Sequence, residues 1–156
     1  MKNTDQRTNK KGFTIIELIA VMVIIAVILA SVLATVQGAT NNSRLTNAVA
    51  SIRALQTASV NYYNGNGGSY ANLSIANLAA GNYLPANFTS GANQDPWNGN
   101  ITVAPDANAG YFDITLTNVP ASVGNAATGT LTMAVSKLTQ TAPAYTAATG
   151  TWTAAF

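Results

Sequence analysis

Gly12, Phe13 and Glu17 are the residues whose types and spacing could do chemistry in this chain. Glu17 lies in the opening turn of an apolar run that reaches Val36, with no polar side chain between Leu18 and Ala30. From Phe13 to Val36 the only polar residues are Thr14, Glu17, Ser31 and Thr35, and no Gly, Pro or Asn interrupts them. An ionisable group in a membrane-like segment is expensive, so it implies a partner and a function. A cut between Gly12 and Phe13 would create that partner, because it frees an α-amino group four residues before Glu17. Within one helix the amine and the carboxyl point in different directions. Between two copies stacked along an axis, the amine of one can pair with the carboxylate of the next.

The element that positions these groups is a helix. The span from Phe13 to Val36 is about 24 residues, or roughly 36 Å of α-helix, enough to cross a bilayer core. Lys10 and Lys11 stand directly before it and anchor that end on the cytoplasmic side. Residues 1–12 are polar, basic and without apolar periodicity, which reads as a leader. An ordinary secretory signal is the alternative, but its apolar region is typically about 7–15 residues and carries no acid near its start. A plain single-pass anchor leaves Glu17 without a role.

Lys11-Gly12-Phe13-Thr14-Ile15-Ile16-Glu17-Leu18 resembles the processing and methylation motif of type IV pilins and type II secretion pseudopilins. The resemblance implies cleavage after Gly12 by a prepilin peptidase, N-methylation of Phe13, and Glu17 as the residue that sets register between subunits. It also implies that the apolar helix stays in membrane lipid until an inner-membrane pilus or secretion machinery extracts it. In the filament, a helical homopolymer, the helices would then pack as a core.

Charge is scarce, at 8% of residues, and unevenly placed. The leader holds Lys2, Arg7, Lys10 and Lys11 against Asp5, a net +3. Residues 13–156 hold Arg44, Arg53 and Lys137 against Glu17, Asp95, Asp106 and Asp113, a net −1. The basic balance therefore belongs to the leader and signals no specific nucleic-acid partner. The chain has no Cys and no His, which excludes disulfides and every His- or Cys-based metal or catalytic site.

Beyond Val36, Gln37–Asn42 is weak for helix and is a candidate hinge. Leu45, Ala48, Val49, Ile52, Leu55, Ser59/Val60 and Tyr62/Tyr63 then recur at three- and four-residue spacing, an amphipathic helix with one buried stripe. Asn64-Gly65-Asn66-Gly67-Gly68 ends it. One continuous helix from Phe13 to Tyr63 would measure about 77 Å. Ile75–Ala80 is expected to form a short helix, and Asn98-Gly99 a tight turn. Three period-two segments are expected as antiparallel strands: Ile101–Val103, Tyr111–Thr117 and Thr130–Val135. The tail from Ala142 to Phe156 is expected to add a last strand.

The stretch from about Gly65 to Pro120 also resembles the globular heads of type IV pilins of the IVb kind. It does so through Gly67-Gly68-Ser69-Tyr70, Leu84-Pro85, Trp97-Asn98-Gly99 and Ile114–Pro120. The short leader and the Phe13 start look more like the IVa class. Two features depart from the family: no Cys is present to pin a C-terminal loop, and residues 13–37 lack the Pro or Gly at which such helices loosen.

Asp95-Pro96-Trp97 resembles the loop that holds calcium in major pseudopilins. Asp95, Asp106 and Asp113, with Asn93 and Asn98, are the weak calcium candidates; against them, calcium wants six to eight oxygen ligands and these acids lie on three elements. No other cofactor is implied. Nothing in the sequence pairs two groups for acid–base work, so no enzyme is expected. Tyr62, Tyr63, Tyr70, Tyr83 and Trp97 stand among small polar residues and read as core and turn packing. Asn72-Leu73-Ser74 and Asn87-Phe88-Thr89 match the glycosylation sequon.

The expected architecture is α+β, a long N-terminal helix packed against a small antiparallel sheet, pilin-like. The expected division is 1–12 leader, 13–37 apolar helix, 38–64 amphipathic helix and 65–156 β-rich head. The expected role is a filament subunit, held in the bacterial inner membrane as a precursor with its head outside the cytoplasm, and extracellular once assembled. The alternatives are a type II secretion pseudopilin and a membrane-anchored binding module. Motility, adhesion, DNA uptake, secretion and conduction all use this architecture.

Overall fold

A computed structural model of the chain describes residues 13–85, 88, 91, 92 and 94–156. Residues 1–12, the expected leader with Gly12 at its end, lie outside these residues, as do Asn87, Thr89 and Asn93.

Helix α1 runs from Ile15 to Gly65. The expected hinge at Gln37–Asn42 is helical throughout. Hydroxyls support the backbone there: Thr40 Oγ1 donates to the Val36 carbonyl at 2.9 Å and Thr46 Oγ1 to that of Asn42 at 2.9 Å. The chain divides into two compact units, one ending at Thr40 and the other spanning Asn41–Phe156. In the first, the large apolar side chains from Phe13 to Val36 are all exposed. The helix is long and apolar enough to cross a membrane by length and composition.

In the second unit the amphipathic stripe is in place. Ala48, Ile52, Leu55, Ala58 and Ser59 are buried, with Leu45, Val49, Tyr62 and Tyr63 packed at the margin. Val60, expected on the same stripe, is exposed. The helix stops where the sequence runs out of side chains. Asn66 N–H bonds the Tyr62 carbonyl at 2.8 Å and Gly68 N–H that of Tyr63 at 2.9 Å, while Gly67 and Gly68 take positive φ. This closes the orphan carbonyls of the last turn in the manner of a glycine cap. Helix α2, Ile75–Ala80, starts at Ser74, whose hydroxyl accepts from Asn77 N–H at 3.2 Å.

The sheet comprises β1 (Ile101–Pro105), β2 (Phe112–Leu116), β3 (Ala144–Thr146) and β4 (Thr151–Ala155), in the order β1-β2-β4-β3, all antiparallel. Phe112, Ile114 and Leu116 are buried on one face of β2 and Asp113 and Thr115 are half-exposed on the other, as alternation predicts. Thr102, Thr115, Thr153 and Ala144 are paired in one row across the sheet. The tail supplies two strands rather than one, and β4 inserts beside β2, with the turn between β3 and β4 closed at Gly150 by a positive φ.

Thr130–Val135 is a helix, α4, not the expected strand. Leu131 and Val135 lie inward on either period, and Met133 discriminates: alternation would bury it, yet it is 59% exposed. Thr132 instead faces in. The Trp152 indole Nε1–H donates to Thr132 Oγ1 at 3.0 Å, and that hydroxyl donates to the Gly124 carbonyl at 3.2 Å. Gly124 ends α3 (Ala121–Gly124), where a Cβ would strike the Tyr145 ring. The Tyr145 hydroxyl donates to the Val119 carbonyl at 2.8 Å. Buried polar bonds thus decide the conformation here, ahead of strand propensity.

The aromatics pack as expected. Tyr63–Tyr70, Tyr70–Phe112 and Phe112–Phe156 have ring centroids 4.7, 5.0 and 5.8 Å apart, and Tyr62 meets Tyr83 edge-on at 6.0 Å. The Ser59 hydroxyl is buried without a hydrogen-bond partner among the described residues.

These polar groups predict opposite mutational effects. Thr132→Val leaves the buried Trp152 N–H unpaired and is expected to destabilise by about 1–3 kcal/mol. Ser59→Ala removes an unsatisfied hydroxyl and is expected to be neutral or stabilising. Denaturant midpoints of the two variants, monitored by the fluorescence of Trp97 and Trp152, check both.

Candidate functional site

The first turn of α1 carries the chemistry the sequence singles out. Phe13 precedes the helix and is 84% exposed. Thr14 stands at the N-cap and Glu17 three residues later. Glu17 N–H donates to Thr14 Oγ1 at 3.3 Å, and Glu17 Oε2 receives both Thr14 N–H at 2.9 Å and the Thr14 hydroxyl at 2.8 Å. The Thr14 carbonyl accepts the first helical bond, from Leu18 N–H at 3.1 Å. This is a capping box, in which two orphan backbone donors of the helix start are satisfied reciprocally. Glu17 Oε1 makes no hydrogen bond among the described residues.

Thr14 is the functional residue that sequence reasoning missed. Its signal was present, because Thr-x-x-Glu directly before an apolar run is the sequence form of this cap. The other hydroxyls of the apolar half are also closed locally. Ser31 Oγ donates to the Ile28 carbonyl at 2.8 Å and Thr35 Oγ1 to that of Ser31 at 3.2 Å. Neither carries an unpaired donor into an apolar medium.

The three head carboxylates are used in other ways. Asp95 is only 4% exposed, and its Oδ1 accepts from Trp97 N–H at 2.8 Å and Gly99 N–H at 2.6 Å. It therefore folds the Asp95–Gly99 turn, with Asn98 at φ 60° and Gly99 so close to Thr117 that no Cβ would fit. Asp95 Oδ2 is buried without a partner among the described residues. Burial pushes the Asp95 carboxyl above the ordinary carboxylate range, opposed by the N–H groups of Gly99 and Trp97. Asp106 Oδ1 accepts from Asn108 N–H at 2.8 Å in its own turn. Asp113, on β2, is raised by burial first and by neighbouring Asp106 second. The described residues hold no group of three or more acids placed to share a metal ion, and Asn93 lies outside them.

Among the described residues, the hollow beside α2 and β1, lined by Ser74, Ile75, Thr102 and Val103, contains no titratable side chain. Nor does the hollow lined by Asn42, Leu45, Pro120 and Val123. A chain with a capped apolar helix at one end and a Cys-free sheet head at the other has a pilin-like layout.

Comparison with known families identifies that layout. The model described as PilS N terminal matches residues 39–155, and the prokaryotic N-terminal methylation motif matches residues 7–33. The first covers most of the chain, so the protein belongs to that family and, with the methylation motif, to the type IV pilins. It is a pilin or pseudopilin subunit. Domains of this family are structural rather than catalytic, and the family implies self-assembly into filaments and processing by a prepilin peptidase. No curated protein and no solved structure matches the chain.

Asp95 gives the head a pH dependence. Its folded pKa is raised, so the native state holds the proton more tightly than the unfolded chain. Its contribution to stability is full below the ordinary Asp pKa of about 3.9 and is lost as pH rises through the higher folded value. Asp95→Asn keeps the Oδ1 acceptor and removes the ionisation. Urea midpoints measured upward from about pH 3 are expected to fall more steeply in the native sequence than in the variant, with a residual slope from Asp113.

Proposed function

We propose that this chain is the subunit of a type IV pilus-like filament, assembled from the inner membrane by helix packing and by pairing of Glu17 with the α-amino group of a neighbouring copy. Residues 1–12 are the leader, removed by cleavage between Gly12 and Phe13, and Phe13 is then N-methylated. Residues 13–37 sit in membrane lipid before assembly and in the filament core afterwards. Residues 38–64 carry the head, 65–156, outside the cytoplasm and finally outside the cell.

The observation that carries this reading is the pairing of an exposed apolar helix with a single carboxylate in its first turn. An apolar face of this length must be covered, by lipid or by other copies of itself. Thr14 holds Oε2 of Glu17 within the helix, and Oε1 is left to an outside donor. The matching donor is a secondary amine that exists only after cleavage and methylation. Precursors, which lack it, have nothing to offer Glu17 and stay in the membrane. An inner-membrane assembly machine then lifts cleaved subunits to a height at which amine and carboxylate meet.

Mass spectrometry of the mature N-terminus is expected to find methylated Phe13; an intact Met1, or a cut beyond Val36, would overturn the reading. Glu17→Gln keeps an acceptor for the Thr14 cap and removes the charge. It is expected to insert and to be cleaved normally while filament yield falls by roughly tenfold or more, the effect of losing one ion pair in a low-dielectric site. Sheared filament counts in that variant equal to those of the native sequence would sink the pairing.

A further inference from the structure

The chain contains three Asn-Gly steps, at Asn64-Gly65, Asn66-Gly67 and Asn98-Gly99. Such steps convert spontaneously. The backbone nitrogen of the Gly attacks the Asn Cγ, the Cγ–Nδ2 bond breaks, the amide proton leaves with the departing nitrogen as ammonia, and a succinimide forms. Water then opens either imide bond, giving Asp or isoaspartate. The reaction needs a Gly amide that can lose its proton and a backbone that can swing the nitrogen onto Cγ.

The fold treats the three steps differently. Gly65 is the last residue of α1, so the Asn64–Gly65 step still has the helical backbone geometry that holds the Gly65 nitrogen away from the Asn64 side chain. Gly99 is buried, its N–H donates to Asp95 Oδ1 at 2.6 Å, and the space around it is closed by the Thr117 carbonyl. Gly67 is exposed, and no atom would lie within 4 Å of a Cβ built on it. Among the described residues nothing accepts its N–H, since the bonds that close the helix belong to Asn66 and Gly68 on either side.

We infer that Asn66 is a self-modifying site in the folded protein, with water as its co-reactant, and that Asn64 and Asn98 are shielded. The change alters the head in two ways. Asn66 Nδ2 is the donor that holds the following loop, through the Ser69 carbonyl at 3.0 Å and that of Ala71 at 3.5 Å. The product presents a carboxylate to those same carbonyls, and isoaspartate adds a methylene to the backbone as well. It also places a negative charge at the C-terminal end of α1, where the helix dipole disfavours it. The side chains of residues 41–156 are balanced, Arg44, Arg53 and Lys137 against Asp95, Asp106 and Asp113, so the new carboxylate takes this unit to a net −1.

The test is peptide mapping of the full chain in detergent, incubated at mildly alkaline pH and sampled over weeks. Chymotrypsin cleaves after Tyr63 and Tyr70, and fragment ions assign each site and separate Asp from isoaspartate. In the folded protein, conversion at Asn66 is expected to exceed that at Asn98 by roughly tenfold or more, the factor one charge-assisted hydrogen bond supplies. In guanidinium the three rates are expected to converge. A folded sample in which Asn98 or Asn64 converts as fast as Asn66 overturns the assignment. So does one in which Asn66 resists while the denatured chain reacts.

Discussion

A polar group in an apolar medium must find its partner within reach or be destabilising by several kcal/mol. The N-terminal half of α1 lies under that constraint along its whole length, because the large apolar side chains from Phe13 to Val36 are all exposed. Its answer is local. Ser31 and Thr35 bond the carbonyls of the preceding turn, and Thr14 and Glu17 bond each other's backbone. Every polar side chain in the stretch is thus closed within one helical turn, with Oε1 of Glu17 the remaining acceptor. A helix so closed can sit in lipid or against its own kind without rearranging, which is the property a subunit that passes between the two requires.

The same constraint shapes the head. Trp152 is wholly buried, and its indole N–H must be answered there. Thr132 accepts from it and donates its own hydroxyl to the Gly124 carbonyl. Those two bonds tie β4 to α4 and α3 within the last 36 residues of the sequence. Asp95 does comparable work at the other edge, where two backbone donors on one oxygen fold the turn that leads into β1. Its second oxygen and the Ser59 hydroxyl are the exceptions. Both belong to the unit that holds the apolar core, in which Ile52, Leu55, Leu78 and Ile101 are buried.

The sequence made the long helix, its two characters, the α2 segment and the first two strands legible, because each is written in local periodicity. Phe112, Ile114 and Leu116 alternate so regularly that their burial follows from the pattern alone. The failures share one physical origin, non-local partners. Leu131, Met133 and Val135 fit a strand as well as a helix until Trp152 claims Thr132. The insertion of β4 between β2 and β3 depends on residues some forty positions apart, as in Thr115 facing Thr153 with their hydroxyls 3.0 Å apart. Thr14 was missed for a different reason. Its partner is three residues away and its spacing is a known cap, but a carboxylate before an apolar run is compatible with an external partner and an internal one alike, and the two uses share Glu17.

The position of Glu17 is itself explained by the cap. The first turn of a helix presents unpaired N–H groups and the positive end of the dipole, so a carboxylate is least unfavourable there. Moved one turn deeper, to the level of Val21, it would lose the Thr14 contacts and most of the dipole while remaining in oil. Moved before Phe13, it would leave the apolar medium and need no partner at all. Only within a few residues of the helix start is the group both tolerable alone and still short of full compensation. Under the proposed pairing, that narrow interval is where an amine from another copy can complete the compensation, and an axial offset of one helical turn, about 5.4 Å, carries the pair well beyond contact. In that pairing the cap makes Glu17 tolerable in the single helix by holding Oε2, and leaves Oε1 for the incoming donor.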